Sequence, residues 1–154
     1  MRSTGISILF FFLLVIGCSA ESTDPTDIAK KHVSAVLDAV ETTNKTTLMS
    51  LFNTTKVDLR SIDEFIEELE RVRFDAESAR ENSDGSIAAS VRVYGIGGTI
   101  ILKESPKSVS GWQVIKMSFP TYLGPNRAGR RECSDGFFQC VIDVINSWRS
   151  ALSR

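Results

Sequence analysis

The sequence has little of what several classes of protein require. Among its 154 residues are three cysteines, one histidine and a nearly balanced 18 basic and 19 acidic side chains. A nucleic-acid-binding domain normally carries a clear basic excess, so the net charge of −1 argues against a nucleic-acid partner. The lone histidine and the few cysteines are a poor ligand set for zinc. We therefore predict no metal and no cofactor.

The N-terminal hydrophobic run is too short to span a membrane. It covers residues 8–16 and follows Arg2, whereas a spanning helix needs roughly 20 apolar residues. Such a run is typical of a signal-peptide core, and the small side chains of Cys18, Ser19 and Ala20 fit cleavage after Ala20. We predict a signal peptide over 1–20 and a secreted, extracellular protein. The alternative is a bacterial lipobox at 15–18, which would anchor the chain through a lipid on Cys18.

Two further features fit an exported chain. Cys133 and Cys140 remain after the leader is removed, and an even pair in an oxidising compartment is normally a disulfide. Two free buried thiols are the alternative. Asn44-Lys45-Thr46 and Asn53-Thr54-Thr55 match the N-glycosylation acceptor, so we expect a glycan on Asn44, Asn53 or both.

Hydrophobic periodicity predicts an α+β chain. Helices are expected from Asp24-Pro25 to about Thr42, over 47–53, from a capping box at 61–64 to Val72, and over 135–152. Strands are expected over 57–59, 74–80, 86–94, 99–104 and 112–119, with a turn at 95–98 and a loop over 122–132. The last helix carries an apolar stripe of Phe137, Val141, Val144, Ile145 and Trp148.

This order of elements resembles the nuclear transport factor 2-like superfamily. The similarity covers roughly 27–121, where 29–36 and 48–52 look like the opening helix pair and 111–116 looks like the last strand. The resemblance implies a cone-shaped fold, with N-terminal helices packed on a curved antiparallel sheet. We accordingly divide the chain into the leader, a nuclear transport factor 2-like domain over 21–121, and a loop with a disulfide-linked helix over 122–154.

The same resemblance supplies two weak catalytic candidates. In ketosteroid isomerase, a member of this superfamily, a tyrosine on the first helix stabilises an oxyanion, and His32 falls at that position. Asp58 falls one residue from the position of the base, which Leu59 occupies instead. The second acid has no counterpart in 99–102, so the activity is not carried over. As the only histidine, on the flank of the helical stripe, His32 is expected to be partly exposed.

Other motifs are expected to be structural. Tyr94 is interpreted as an outer-face or interface side chain, and 95–98 as a turn or bulge without the spacing of a nucleotide-binding loop. The basic cluster over 127–131 is interpreted as a solvated loop, with a processing site at Arg130-Arg131 as the alternative.

Three hypotheses on function follow. The first is a secreted, non-enzymatic domain that binds a small apolar ligand or an extracellular protein, with a homodimer through the sheet as one possible assembly. The second is an isomerase-like or dehydratase-like enzyme that uses a pocket in the cone. The third is an interaction protein that uses its C-terminal helix. The first two hypotheses can be distinguished by one observation: the enzyme requires His32 and a carboxylate to face the same cavity, and the binding domain does not.

Overall fold

The computed structural model describes residues 24–53, 59–122, 128–134 and 136–153. Within these ranges the chain forms four helices and five strands. They are α1 (Pro25–Glu41), α2 (Lys45–Leu51), α3 (Leu59–Glu70), β1 (Phe74–Glu81), β2 (Ile87–Val93), β3 (Ile96–Glu104), β4 (Trp112–Tyr122), β5 (Ala128–Cys133) and α4 (Phe137–Leu152). The strands lie in chain order in one antiparallel sheet, so the α+β prediction is confirmed. None of the described helices is long and apolar enough to cross a bilayer.

Side-chain caps start the first two helices. The carboxylate of Asp24 accepts a hydrogen bond from the Thr26 N–H at 2.7 Å, and Pro25 occupies the first turn, as predicted. Asn44 caps α2 in the same way, because its side-chain oxygen accepts from the Thr47 N–H at 3.0 Å. This cap explains why α2 begins at Lys45, two residues before the predicted start.

The turn between β2 and β3 lies earlier than the glycine-rich run suggests. Val93 pairs with Ile96, which leaves a two-residue turn of Tyr94 and Gly95, with φ of 53° and 77°. Two consecutive positive φ values are those of a type I′ turn, whose twist matches that of the flanking strands. The predicted turn at 95–98 is therefore wrong beyond Gly95, and residues 96–98 belong to β3.

Helix α3 corrects two predictions. The helix already contains Leu59, so the expected strand over 57–59 is wrong at that residue, and its other two residues lie outside the described ranges. Ser61 therefore lies inside the helix and is not the N-cap of a capping box. Its hydroxyl instead donates to the Gln139 side-chain oxygen of α4 at 2.8 Å.

The last helix closes the core. All five residues of its predicted apolar stripe are buried, so the stripe does not form an exposed contact surface. Phe137 and Phe138 join Phe52 and Phe65 in a cluster with ring centroids 4.8–5.9 Å apart. These ring contacts bring together α3, α4 and the residue that ends α2. Burial of such rings is a large favourable contribution to folding.

Two further contacts join α4 to the sheet. Cys133, the last residue of β5, forms a disulfide with Cys140 of α4, and their Cα atoms are 6.0 Å apart. The indole N–H of Trp148 donates to the carbonyl oxygen of Pro120 on β4 at 2.7 Å. The helix is therefore fastened to two neighbouring strands, which supports the predicted pairing of the cysteines.

A glycine on β3 makes room for the aromatic side chain beneath α4. A Cβ atom on Gly98 would lie 2.2 Å from the ring of Phe119, so only glycine allows the ring to occupy this place. Phe119 is buried and packs edge-to-face on Trp148, with centroids 5.8 Å apart. The small residue on β3 thus permits the contact between β4 and α4.

The predicted basic loop is in fact the edge strand β5. Arg131 forms an ion pair with Asp143 of α4 at 2.8 Å, and Arg130 donates to the Ser118 and Thr99 hydroxyls across the sheet. Arg127 lies outside the described residues. The interpretation as a solvated loop is wrong for 128–131 because strand pairing with β4 and these side-chain contacts order the segment.

Candidate binding cleft

A cleft of about 390 Å³ lies where the N-terminal half of α1 meets one end of the sheet. Its walls come from α1, the end of β1, the start of β2, the end of β3 and the segment that leads into β4. This volume lies within the range of small-molecule sites, which is roughly 300–1,000 Å³.

Strand register explains which sheet residues face the cleft. Glu81 pairs with Ile87, and Ile87 pairs with Leu102, so the three side chains share one face of the sheet. Ile87 and Leu102 are buried, which identifies that face as the inner one. Glu104 lies two residues beyond Leu102 and pairs with Trp112. Both glutamates therefore lie on the inner face at the end of the sheet, where the core gives way to solvent.

The cleft combines apolar walls with a negative charge. Ile28 of α1 and Trp112 of β4 are half-buried and form apolar walls. Asp27 and Lys31 of α1 carry opposite charges, so the two glutamates leave the lining with a formal net charge of −2. Glu81 and Glu104 are exposed and form no ion pair with any described residue.

A buried histidine lies behind one wall. His32 of α1 is only 1% exposed, and its Nδ1 lies 2.9 Å from the Oγ of Ser110, a residue that lines the cleft. The expectation of a partly exposed histidine is therefore wrong. The flank of α1 that the helical stripe leaves free is covered by the segment between β3 and β4, and Ser110 belongs to that segment.

Hydrogen bonds fix the position of Ser110. Its Oγ donates to the Trp112 carbonyl oxygen at 3.0 Å, accepts from the Trp112 N–H at 3.2 Å, and lies 3.1 Å from the Ser108 Oγ. Because the hydroxyl proton is directed to the Trp112 carbonyl, the His32 ring donates from Nδ1. The other ring nitrogen, Nε2, is then a buried acceptor with no partner among the described residues.

Burial determines the charge state of the imidazole. Desolvation lowers the pKa of His32 to about 4, and a hydrogen bond with the Trp112 backbone offsets only part of this effect. His32 is therefore neutral at pH 7. A nucleophilic serine needs a base that a third group orients, and no described residue bonds to Nε2. The hydrogen bond between His32 and Ser110 instead has a structural role, because it holds the segment 108–112 against α1.

Of the two catalytic candidates, the structure describes only His32; Asp58 lies outside the described residues. The structure places His32 beside Ser110. The sequence alone gave no reason to single out Ser110. The two residues are 78 positions apart, and no local pattern in the sequence links them. Among the described residues, no group of His, Cys, Asp or Glu side chains has an arrangement that could hold a metal ion.

The remaining candidates lie away from the cleft. Tyr94 is 43% exposed and lies in the turn after Val93, whereas Ile87 begins β2 at the cleft. Asn44 and Asn53 are both exposed, Asn44 at the start of α2 and Asn53 just after Phe52, so glycosylation of either stays a prediction.

Comparison with known proteins gives no relative from which a function could be transferred: no family model, curated protein or solved structure matches the chain.

Proposed function

We propose that this chain is an exported, non-enzymatic binding domain that takes a small, largely apolar ligand in the cleft between α1 and the end of the sheet. The observation that carries the proposal is the cleft itself. Its walls include Ile28 and Trp112, and it opens at the end of the inner face of the sheet. Mostly apolar walls with a few polar groups are typical of small-molecule sites.

The chemistry beside the cleft favours binding over catalysis. His32 is buried and contacts a serine whose hydroxyl is already hydrogen-bonded to the backbone of Trp112. An isomerase would need a base and an oxyanion donor that both face the bound substrate. The Nδ1 of His32 is engaged with Ser110, and this engagement leaves that nitrogen unable to act as the donor.

The disulfide and the predicted signal peptide support export. Disulfides persist in oxidising compartments, and Cys133 and Cys140 are both buried where they join β5 to α4. Together with the hydrophobic run over 8–16, the pairing favours secretion as the localisation.

The fold order supports the proposed relationship to the nuclear transport factor 2-like superfamily. Three helices precede the antiparallel strands β1 to β4, which agrees with the order that the resemblance implies, except that Leu59 belongs to α3 and not to a short strand before it; β5 lies beyond the similar region. Membership and the cone shape are parts of the proposal. If the chain has the cone-shaped fold of that superfamily, the cleft corresponds to the open end of the cone.

Native mass spectrometry of protein secreted by its natural source tests the proposed function. The wild-type protein is expected to retain a small molecule that Trp112→Ala and Ile28→Ser lose, because both substitutions remove an apolar wall. Tyr94→Asn is the matched control, since Asn is favoured in a type I′ turn and Tyr94 lies at the other end of β2. Equal retention by all four proteins, with circular dichroism showing that all are folded, would place the ligand elsewhere.

A further inference from the structure

We infer that the side-chain amide of Asn44 has two roles in the exported protein: its nitrogen carries an N-linked glycan while its oxygen caps helix α2. The inference rests on the export that the proposed function includes, because N-glycosylation acts on secreted chains. It does not depend on the cleft, since Asn44 follows the C-terminal end of α1 and the cleft lies at the N-terminal half of that helix.

The residues around Asn44 supply both the acceptor sequence and the room for a sugar. Asn44-Lys45-Thr46 has the required hydroxyl two positions after the asparagine. Residues 41–46 are all exposed at the corner between α1 and α2. Lys45 forms an ion pair with Asp63 of α3, and the two side chains remain 45% and 57% exposed. The corner is therefore held against α3 and is still open to solvent.

The hydrogen bond of the cap determines which way the two amide atoms face. Oδ1 of Asn44 lies 3.0 Å from the Thr47 backbone nitrogen and accepts its N–H, a bond that the amide nitrogen could not accept. Oδ1 and Nδ2 diverge from the same carbon, so Nδ2 is directed away from that N–H. No described residue accepts a hydrogen bond from Nδ2. The nitrogen can therefore carry a substituent while the oxygen stays in the cap.

The modification conserves the atom that caps the helix. Nδ2 attacks C1 of the first sugar of an oligosaccharide that is carried on a polyprenyl diphosphate. The new N–C1 bond replaces the C1–O bond, the polyprenyl diphosphate leaves with the electron pair, and Nδ2 loses one proton. The product is a secondary amide whose oxygen still accepts hydrogen bonds. A glycan on Asn44 is therefore compatible with the folded start of α2.

The second acceptor sequence, Asn53-Thr54-Thr55, does not support the same inference. Asn53 is exposed, but residues 54 and 55 lie outside the described ranges. Its backbone N–H donates to the Val114 carbonyl oxygen at 2.9 Å, which joins the residue to β4. The inference is confined to Asn44, where the structure describes the whole acceptor sequence.

Peptide mapping of protein secreted by a eukaryotic cell line tests the inference, with three variants that separate the two roles. Thr46→Ala removes the acceptor hydroxyl and leaves the cap, whereas Asn44→Asp removes the nitrogen and leaves a capping oxygen. Asn44→Ala removes both. We expect a glycan on position 44 of the wild type alone. In urea unfolding, Thr46→Ala and Asn44→Asp should have similar folding equilibrium constants, and that of Asn44→Ala should be about fivefold lower.

The results distinguish this inference from the proposed function. A secreted wild-type protein without a sugar on Asn44 would overturn the inference and leave export intact. A glycan on Asn44, together with equal folding constants for Asn44→Ala and Asn44→Asp, would show that the side chain does not cap the helix and would overturn the pair of roles. If the wild-type chain is not secreted at all, the export in the proposed function fails together with the inference that rests on it.

Discussion

The Nδ1 of His32 and the Oγ of Ser110 lie 2.9 Å apart and fasten the segment before β4 to helix α1. Because burial lowers the pKa of His32 to about 4, the unfolded chain binds a proton on this residue at a higher pH than the folded chain does. Stability should therefore fall as the pH drops from about 6.5 towards 4, by about 3 kcal/mol from this residue alone. Above pH 7 the residue contributes no pH dependence.

Urea unfolding of wild type and His32→Gln between pH 4 and pH 7.5 measures this effect. The variant is expected to be less stable at pH 7.5, because the hydrogen bond between the imidazole and Ser110 is lost, but to lose less stability on acidification. Parallel stability curves for the two proteins would show that His32 does not titrate on unfolding in this range.

Gly98→Ala is expected to destabilise the fold by about 2 kcal/mol, because the new Cβ would overlap the Phe119 ring. Gly97→Ala, one residue away on the same strand, meets nothing within 4 Å and should change the stability by less than about 1 kcal/mol. Thermal unfolding of the two variants makes the comparison. Equal losses would mean that strand propensity rather than the aromatic contact determines the residue at position 98.

Replacing both Cys133 and Cys140 with Ala should lower the free energy of unfolding by about 2 kcal/mol, since the bridge closes a short loop of seven positions. Helix α4 should stay folded, because its apolar stripe and Trp148 remain buried. In the wild-type protein, peptide mapping without reductant should recover Cys133 and Cys140 in one disulfide-linked species. Two free thiols in protein collected from an oxidising medium would contradict the pairing.

The mature chain is predicted to begin at Glu21, after the small residues 18–20. N-terminal sequencing of the secreted protein checks this directly. A blocked, lipid-modified Cys18 in the membrane fraction would replace secretion with anchoring.

The elements that the sequence predicts well are those with a clear hydrophobic period. In β2 the alternation of Ala89, Val91 and Val93 with polar residues matches the observed burial, and α1 begins at its predicted cap. Strand β5 was missed because its residues, Ala-Gly-Arg-Arg-Glu-Cys, have almost no apolar alternation. Its pairing with β4 and the contacts of Arg130 and Arg131 hold it in place, and neither is visible in a local window.

The site was harder to predict than the fold. Helical spacing places His32 on the flank of α1, where exposure is the reasonable expectation. Its burial depends on a segment 78 positions later in the chain. Glu104 ends a predicted strand and Glu81 directly follows one, and both resemble ordinary solvated residues. Only the register between β1, β2 and β3 reveals that they share the inner face.

The position of α4 affects how this chain reaches its folded state during synthesis. The ribosome makes α4 after every other described element, yet the helix supplies Phe137 and Phe138 to the cluster that covers Phe52 and Phe65. Until α4 leaves the ribosome, the rings of Phe52 and Phe65 lack their contacts with Phe137 and Phe138, even if the strands of the sheet have already paired. Chaperone binding during this interval, and sensitivity to truncation before Phe137, should therefore centre on the surface formed by Phe52 and Phe65.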